Sequence, residues 1–313
     1  MLVLSRDKQT FHDDEFRNFS KYVRPGDCLV LNDTRVFPAR LHGRRGQPTG
    51  AQVEMFLVRA LNDGKSEWTA LVRPGKRARC GDRIYFDHGL EAEILTAGDF
   101  GERTIRLTAP QSVTELLEKA GETPLPPYIH RAPNAADRDR YQTVFAREAG
   151  SAAAPTAGLH FTPEILESCR AAGADTAYVT LHVGLGTFAP LRQRNLSDVR
   201  LHEEYFKVSE KSAAQMRSSA RLVCAGTTTV RTVETAALRG GPYPLRGETN
   251  LFIYPGYRFR STGAMLTNFH LPQSSLLMLV CAFAGRELAL AAYQHAVEQK
   301  YRFYSYGDCM LIE

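Results

Sequence analysis

Long apolar runs are missing from this chain. The longest extends only from Leu276 to Ala284, far short of the roughly 20 residues that carry a helix across a bilayer. No membrane partner is expected. The opening "MLVLSRDKQTF" has no basic stretch followed by an apolar core, so no secretory signal is expected either. Cysteine pairs are also absent. Cys28, Cys80, Cys169, Cys224, Cys281 and Cys309 are scattered, and no two form a CxxC. That spacing argues against a zinc knuckle or a disulfide framework and suits free thiols in a reducing cytoplasm. No metal is expected. Charge of one sign is not dominant: 39 Lys and Arg face 34 Asp and Glu, a net +5. Such a mild excess permits an anionic partner such as RNA without requiring one. The chain has no Walker A string, no GxGxxG after a first strand, no HExxH and no GxSxG, which removes most kinase, dinucleotide, zinc-protease and esterase readings.

What is present divides by texture. "LVLNDT" (29–34) is an apolar strand running into polar turn residues. From Arg40 to Leu107, "ARLHGR", "AQVEMFLV", "EWTALV", "DRIYF", "LEAEIL" and "RTIRL" are separated by Gly, Pro, Asp and Asn clusters. These six short runs predict a small antiparallel barrel or sandwich, and the barrel is the reading adopted. A helix through Leu116 and Leu117, stopped at Gly121, and the proline-stiffened "TPLPPYIHR" lead out of it. Strands and helices then alternate. The predicted helices cover 163–172, 210–219, 227–238, 276–284 and 287–300, and the predicted strands 176–183, 203–209, 221–226 and the closing "CMLIE". Alternation of this kind predicts an α/β fold with a mostly parallel sheet and flanking helices. The β-barrel (39–127) is then an insertion, and the α/β domain is discontinuous (1–38 and 128–313).

Ligands of open α/β sheets bind beyond the carboxyl ends of the strands. There the chain carries Asn32, Asp33, Thr34 and Arg35; Thr180, His182 and the Gly184/Gly186 loop; Gly226 with Thr227, Thr228 and Thr229; and Thr267, Asn268 and His270. Each has a bland alternative. A lone histidine is more often a hydrogen-bonded core residue than a catalyst. Gly226-Thr-Thr-Thr at a helix start suits a carboxylate or phosphate, but also ordinary capping. Arg231 and Glu234, one turn apart, suit an intrahelical pair. The basic turns "RPGKRAR" and "RLHGRR" suit an RNA-facing stripe or plain solvation. In "AAPTAGLHFTPE" (153–164), small residues precede His160, which suggests close approach of a ligand to the backbone or tight helix–sheet packing.

Longer strings are more specific. "RPGDCLVLNDTRVFPARL", "RPGKRARCGD", "LPPYIHR", "YQTVFAREAGSAAAPTAGLHFT", "VTLHVGLGTFAP", "HEEYF", "GTTTVRTVE", "TNFHLPQSSLLMLVCAFAG" and "YRFYSYGDCMLI" occur in order from about Val23 onward. Together they closely resemble the S-adenosylmethionine:tRNA ribosyltransferase-isomerase family of queuosine biosynthesis. One departure is at the start. Members usually carry a further acidic, leucine-containing segment with an Arg-Asp pair before the first strand, whereas this chain opens on "MLVL".

The resemblance implies an α/β domain with an inserted β-barrel. It also implies an activity. The ribosyl group of S-adenosylmethionine is transferred and isomerised onto 7-aminomethyl-7-deazaguanine at the wobble position of a tRNA with a GUN-type anticodon. Epoxyqueuosine-tRNA forms, and adenine and methionine leave. S-adenosylmethionine is then a co-substrate and no further cofactor is needed. A cytoplasmic monomer is expected. The chemistry asks for a base to take a C5′ proton acidified by the sulfonium, a donor for departing adenine, and donors for the methionine carboxylate. His160 or His182 is expected as the base, with Asp33 and Arg35 orienting substrate. Thr228, Thr229 and Arg231 are expected to hold the carboxylate or a phosphate. Asn268 and His270 are expected at adenine or the deazaguanine, and Tyr306, with Asp308, as an aromatic contact. Two alternatives stay open: a truncated relative that binds tRNA without catalysis, and an enzyme of the same fold acting on a free nucleoside.

Overall fold

The computed structural model describes the chain apart from residues 47–49, 63, 99–100, 111, 127, 130, 185–190, 192–194 and 242–244, and the side chains of 77 and 197. It falls into two compact units. One comprises Met1–Thr34, Gln142–Glu148 and Ala154–Glu313, and the other Arg35–Tyr141 and Ala149–Ala153. The second is wider than the expected 39–127, because it takes in the helical segment after the β-barrel and a short returning strand.

The chain begins with β1 (Leu2–Ser5), β2 (Thr10–Asp13), a 3-10 turn over Phe16–Tyr22, and β3 (Asp27–Asn32). β4 (Thr34–Val36) precedes the barrel strands β5 (Arg40–Arg45), β6 (Gln52–Ala60), β7 (Glu67–Arg73), β8 (Arg83–Tyr85), β9 (Glu91–Ala97) and β10 (Glu102–Thr108). These six close in the order β10-β7-β6-β5-β8-β9, antiparallel throughout. Their inward positions, Leu41, Met55, Leu57, Ala70, Val72, Ile84, Ala92, Ile94, Ile105 and Leu107, are all at most 2% exposed. The period-2 pattern of the sequence is the reason: every second side chain points into the barrel. Buried Arg103 serves the basic "RPGKRAR" turn. Its Nε donates to Ala78 O at 2.7 Å and its Nη2 to Gly75 O at 2.7 Å. Arg73 and Lys76 stay exposed. α1 (Val113–Ala120), α2 (Ala135–Arg140) and β11 (Glu148–Ser151) follow.

The remaining elements belong to the first unit: α3 (Pro163–Ala171), β12 (Asp175–Leu181), β13 (Glu204–Val208), α4 (Glu210–Ser218), β14 (Arg221–Ala225), α5 (Thr227–Leu238), β15 (Leu245–Thr249), β16 (Thr262–Asn268), α6 (Ser275–Ala284), α7 (Arg286–Glu298) and β17 (Cys309–Ile312). The nine-stranded sheet has the order β15-β13-β12-β3-β14-β16-β17-β1-β2. It is parallel across β12, β3, β14 and β16, and again between β17 and β1. The β15-β13-β12 arm, the β16–β17 pair and the β1–β2 edge are antiparallel. The expected mostly parallel sheet is therefore parallel at its centre and mixed outward. β1, β2, β15 and α2 have no counterpart in the sequence reading. Each is short, and such segments carry too little periodicity to register.

β3 is buried along its whole length, as expected for a strand covered on both faces. Leu29, Leu31, Val223, Ala225, Ala264, Leu266, Leu311 and Val3 pack with Phe19 of the 3-10 turn, Phe161 just before α3, and Leu166 and Cys169 of α3. Positions of the other parity turn toward α5, where Asn32 meets Thr228. α3 starts as its sequence predicts: Thr162 Oγ1 accepts from Ile165 N, and Pro163 occupies the first turn. No single helix among the described residues is long and apolar enough to cross a membrane.

Candidate functional site

Polar side chains of the first unit gather at the carboxyl ends of β3, β12 and β16, as an open α/β sheet requires. Asn32 is 1% exposed and has no valence to spare. Its Nδ2 donates to Leu181 O at 3.1 Å and Thr228 Oγ1 at 3.2 Å. Its Oδ1 accepts from Thr34 N at 3.1 Å and Leu181 N at 3.0 Å. This one amide clamps the ends of β3 and β12 and the start of α5. Asp33 is buried beside it. Thr180 Oγ1 donates to its Oδ1 at 2.7 Å, and Arg147 lies 3.5 Å from its Oδ2. Burial pushes the Asp33 carboxyl above its ordinary range, against the pull of Thr180 and Arg147. The Arg147 guanidinium also covers the Tyr178 ring at 4.1 Å.

His182 follows β12. Its Nδ1 lies 2.7 Å from Thr34 Oγ1. Its ring stacks on Tyr205 at 5.5 Å between centroids and 24° between planes. Gly184 N donates to Glu204 Oε1 at 3.1 Å. The Leu185-Gly186 part of the expected glycine loop lies outside the described residues.

His160 closes the 3-10 turn Thr156–His160. Its ring packs on Phe16 at 5.2 Å. Asn268 Nδ2 stands 3.3 Å from His160 Nε2. Burial holds His160 down to about 4, although Asp308 pulls the other way. His270 Nε2 is 2.7 Å from Thr267 Oγ1, its backbone N–H donates to Tyr293 OH at 2.9 Å, and burial likewise lowers it to about 4. Both rings are neutral at pH 7.

The small residues before His160 serve packing. Ala152, Ala153, Ala154 and Ala157 are at most 3% exposed. A Cβ at Gly158 would stand 2.8 Å from Thr143 Cγ2 and 2.9 Å from Phe145 Cζ. The chain itself fills the space the sequence reading gave to a ligand, so tight packing is the correct alternative for this run.

α5 begins at Gly226, whose φ of 97° suits glycine. The first-turn amides of such a helix have no acceptor within it. The threonines are committed differently from expectation. Thr229 Oγ1 donates to Ala225 O at 2.8 Å and is fully buried, so it is unavailable to a ligand. Thr228 accepts from Asn32 and keeps its own proton to give. Arg231 is 3% exposed, pairs with Glu204, and donates through Nε to Leu251 O at 3.0 Å. It does not pair with Glu234. Glu234 instead accepts from Tyr257 OH and from the backbone N–H groups of Arg260, Ser261 and Thr262, and also from Thr262 Oγ1.

Asn268 departs from expectation too. At 2% exposure its amide serves Thr156, His160 and the Tyr304 carbonyl, so both of its N–H hydrogens are already committed within the chain. Arg35 falls in the other compact unit and is exposed. Tyr306 is exposed at 37%. Asp308 is forked by Arg302, whose Nη2 donates to Oδ1 at 2.8 Å; these bonds hold the carboxyl below its ordinary value despite partial burial. Glu204, Tyr205 and Thr156 were missed as site residues. "HEEYF" carried the first two, but nothing local shows a strand residue's partner across the sheet. Among the described residues no group of three or more His, Cys, Asp or Glu is placed to hold a metal. What the cluster offers is a buried carboxyl group, two imidazoles on aromatic rings, and a helix start.

Comparison with known proteins is consistent along the whole chain. A family described as Queuosine biosynthesis protein matches residues 1–312. The S-adenosylmethionine:tRNA ribosyltransferase-isomerase of Solibacter usitatus is 56% identical over 100% of this chain and 92% of its own length. The enzyme of the same name from a Thermoanaerobacter species is 46% identical over the same shares. A crystal structure of S-adenosylmethionine tRNA ribosyltransferase from Thermotoga maritima is 36% identical, with a TM-score of 0.55, and covers 100% of this chain and 91% of that one. The chain is a member of the queuosine biosynthesis protein family.

Proposed function

We propose that this protein transfers and isomerises the ribosyl group of S-adenosylmethionine onto 7-aminomethyl-7-deazaguanine at the wobble position of tRNA, yielding epoxyqueuosine-tRNA and releasing adenine and methionine. The observation that carries this reading is the family match over residues 1–312, together with relatives named for that activity, one of them 56% identical across the full chain.

The chain's own residues supply what the reaction asks for. A sulfonium makes its C5′ protons acidic, and a positioned base removes one. We assign this base to His182, whose Nδ1 contact with Thr34 and stack on Tyr205 fix the ring plane. Asp33, buried and bonded to Thr180, orients the ribose or the incoming amine. The start of α5 and the Thr228 hydroxyl receive the methionine carboxylate, where helix amides favour negative charge. Arg231 acts indirectly: its pair with Glu204 steadies the carboxylate that holds Gly184 N. The substrate tRNA has a GUN-type anticodon, the enzyme works as a cytoplasmic monomer, and S-adenosylmethionine serves as co-substrate.

The test is adenine release by the purified protein. The assay holds S-adenosylmethionine with an anticodon stem-loop carrying the aminomethyl-deazaguanine, and an unmodified stem-loop as control. Adenine with the modified RNA alone, accompanied by a matching gain in RNA mass, supports the reading. RNA binding without adenine would point to a non-catalytic binder. Turnover of the free nucleoside without RNA would point to a different substrate.

A further inference from the structure

Asn268 stands in the last position of β16, paired in register with Cys309 of β17. Three groups surround its amide. The Tyr304 carbonyl lies 3.2 Å from Nδ2. A carbonyl only accepts, so that end of the amide is the NH2 group. The Thr156 hydroxyl donates to Oδ1 at 3.0 Å, which agrees. One Nδ2 hydrogen therefore serves Tyr304 O, and the other points at His160 Nε2, 3.3 Å away. A hydrogen on Nε2 would meet that N–H head-on, so Nε2 is the bare nitrogen. The neutral ring then carries its hydrogen on Nδ1.

The support behind Asn268 is rigid. Tyr304 is held at a φ of 74°, a conformation that costs a non-glycine residue energy and persists only where surroundings impose it. Tyr304 N donates to Phe269 O at 3.1 Å, and Gly307 N donates back to Tyr304 O at 3.0 Å. The charged groups facing His160 are Asp308, Arg302 and the amino group of Met1, and Phe16 covers one side of the ring. None of these takes the Nε2 position.

We propose that Asn268 is a positioning residue that locks His160 in the Nδ1–H tautomer, so that His160 meets the substrate as a hydrogen-bond donor and not as the proton acceptor. A donor suits a ring nitrogen of departing adenine, where negative charge grows as the glycosidic bond breaks. The two histidines then divide the work: His182 accepts and His160 donates. The substrate half of this inference rests on the proposed function, while the tautomer half stands on the hydrogen-bond chain alone.

The test is a ring-nitrogen NMR correlation spectrum of the full chain labelled with 15N-histidine, with His160→Gln identifying the signals. The expected result is a protonated-type Nδ1 and a bare-type Nε2 for His160 near pH 7. A protonated Nε2 overturns the proposal, and the wild-type spectrum alone decides this even where a variant folds poorly. Asn268→Asp replaces the donor with an acceptor. It is expected to move the hydrogen to Nε2, raise the His160 ionisation into the range of the pH profile, and lower kcat for adenine release by about 100-fold with little change in KM. Asn268→Ala, which leaves both tautomers open, is expected to lose less. A reversed tautomer with unchanged kcat would overturn the donor role. Absence of adenine release by the wild type would instead defeat the proposed function and leave the spectrum's answer intact.

Discussion

Thr34 Oγ1 and His182 Nδ1 are 2.7 Å apart, although 148 positions separate them along the chain. β3 and β12 run parallel in register through Asp175–Val179, so residues just beyond each strand end meet. Thr34→Val keeps the shape and removes the hydroxyl. The expected outcome is a fall in kcat of about 10-fold, with the melting temperature nearly unchanged, because a lost positioning hydrogen bond costs about 1–1.5 kcal/mol. Steady-state adenine release beside thermal denaturation checks this.

Gly158 tests the packing answer for the run before His160. An added Cβ would press on Thr143 and Phe145 at under 3.0 Å. Gly158→Ala is expected to destabilise the protein by about 1–3 kcal/mol through overpacking. Equilibrium urea denaturation gives the value. Unchanged stability would return the space to a ligand.

Glu234 takes five hydrogen bonds within a fully buried site. Glu234→Ala strands those donors and should cost about 3–5 kcal/mol, whereas Glu234→Gln, which keeps one acceptor oxygen, should cost less. Denaturation of both variants separates the two. Equal losses would mean that the loss of the carboxylate, and not the cavity left by Ala, sets the cost.

His160 and His270 give the stability a pH dependence. Both are held neutral by burial at about 4, against an ordinary 6.5. Between those values the unfolded chain binds protons that the native state refuses, so stability is full above about pH 6.5 and falls as pH drops toward 4. Each group contributes a slope of up to about 1.4 kcal/mol per pH unit. Melting temperatures across pH 7 to 4.5 should decline, and less steeply in His270→Asn if that variant keeps the fold.

The sequence by itself determined the period-2 barrel strands, the capped helix at Thr162-Pro163, the strand–helix alternation and the polar residues beyond the strand ends, because each is written in neighbouring residues. Its motif strings also pointed to the family. Only the tertiary structure decided which polar groups are already spent. Thr229 turned back on Ala225, Arg231 paired with Glu204 and not Glu234, and Asn268 gave its amide to His160 and Tyr304. It also showed that the alanines and Gly158 before His160 pack against the chain itself. The physical reason is that a hydrogen bond or a close contact between residues far apart in sequence depends on strand order and register. Both are set by the burial of the whole sheet, and no local pattern encodes them.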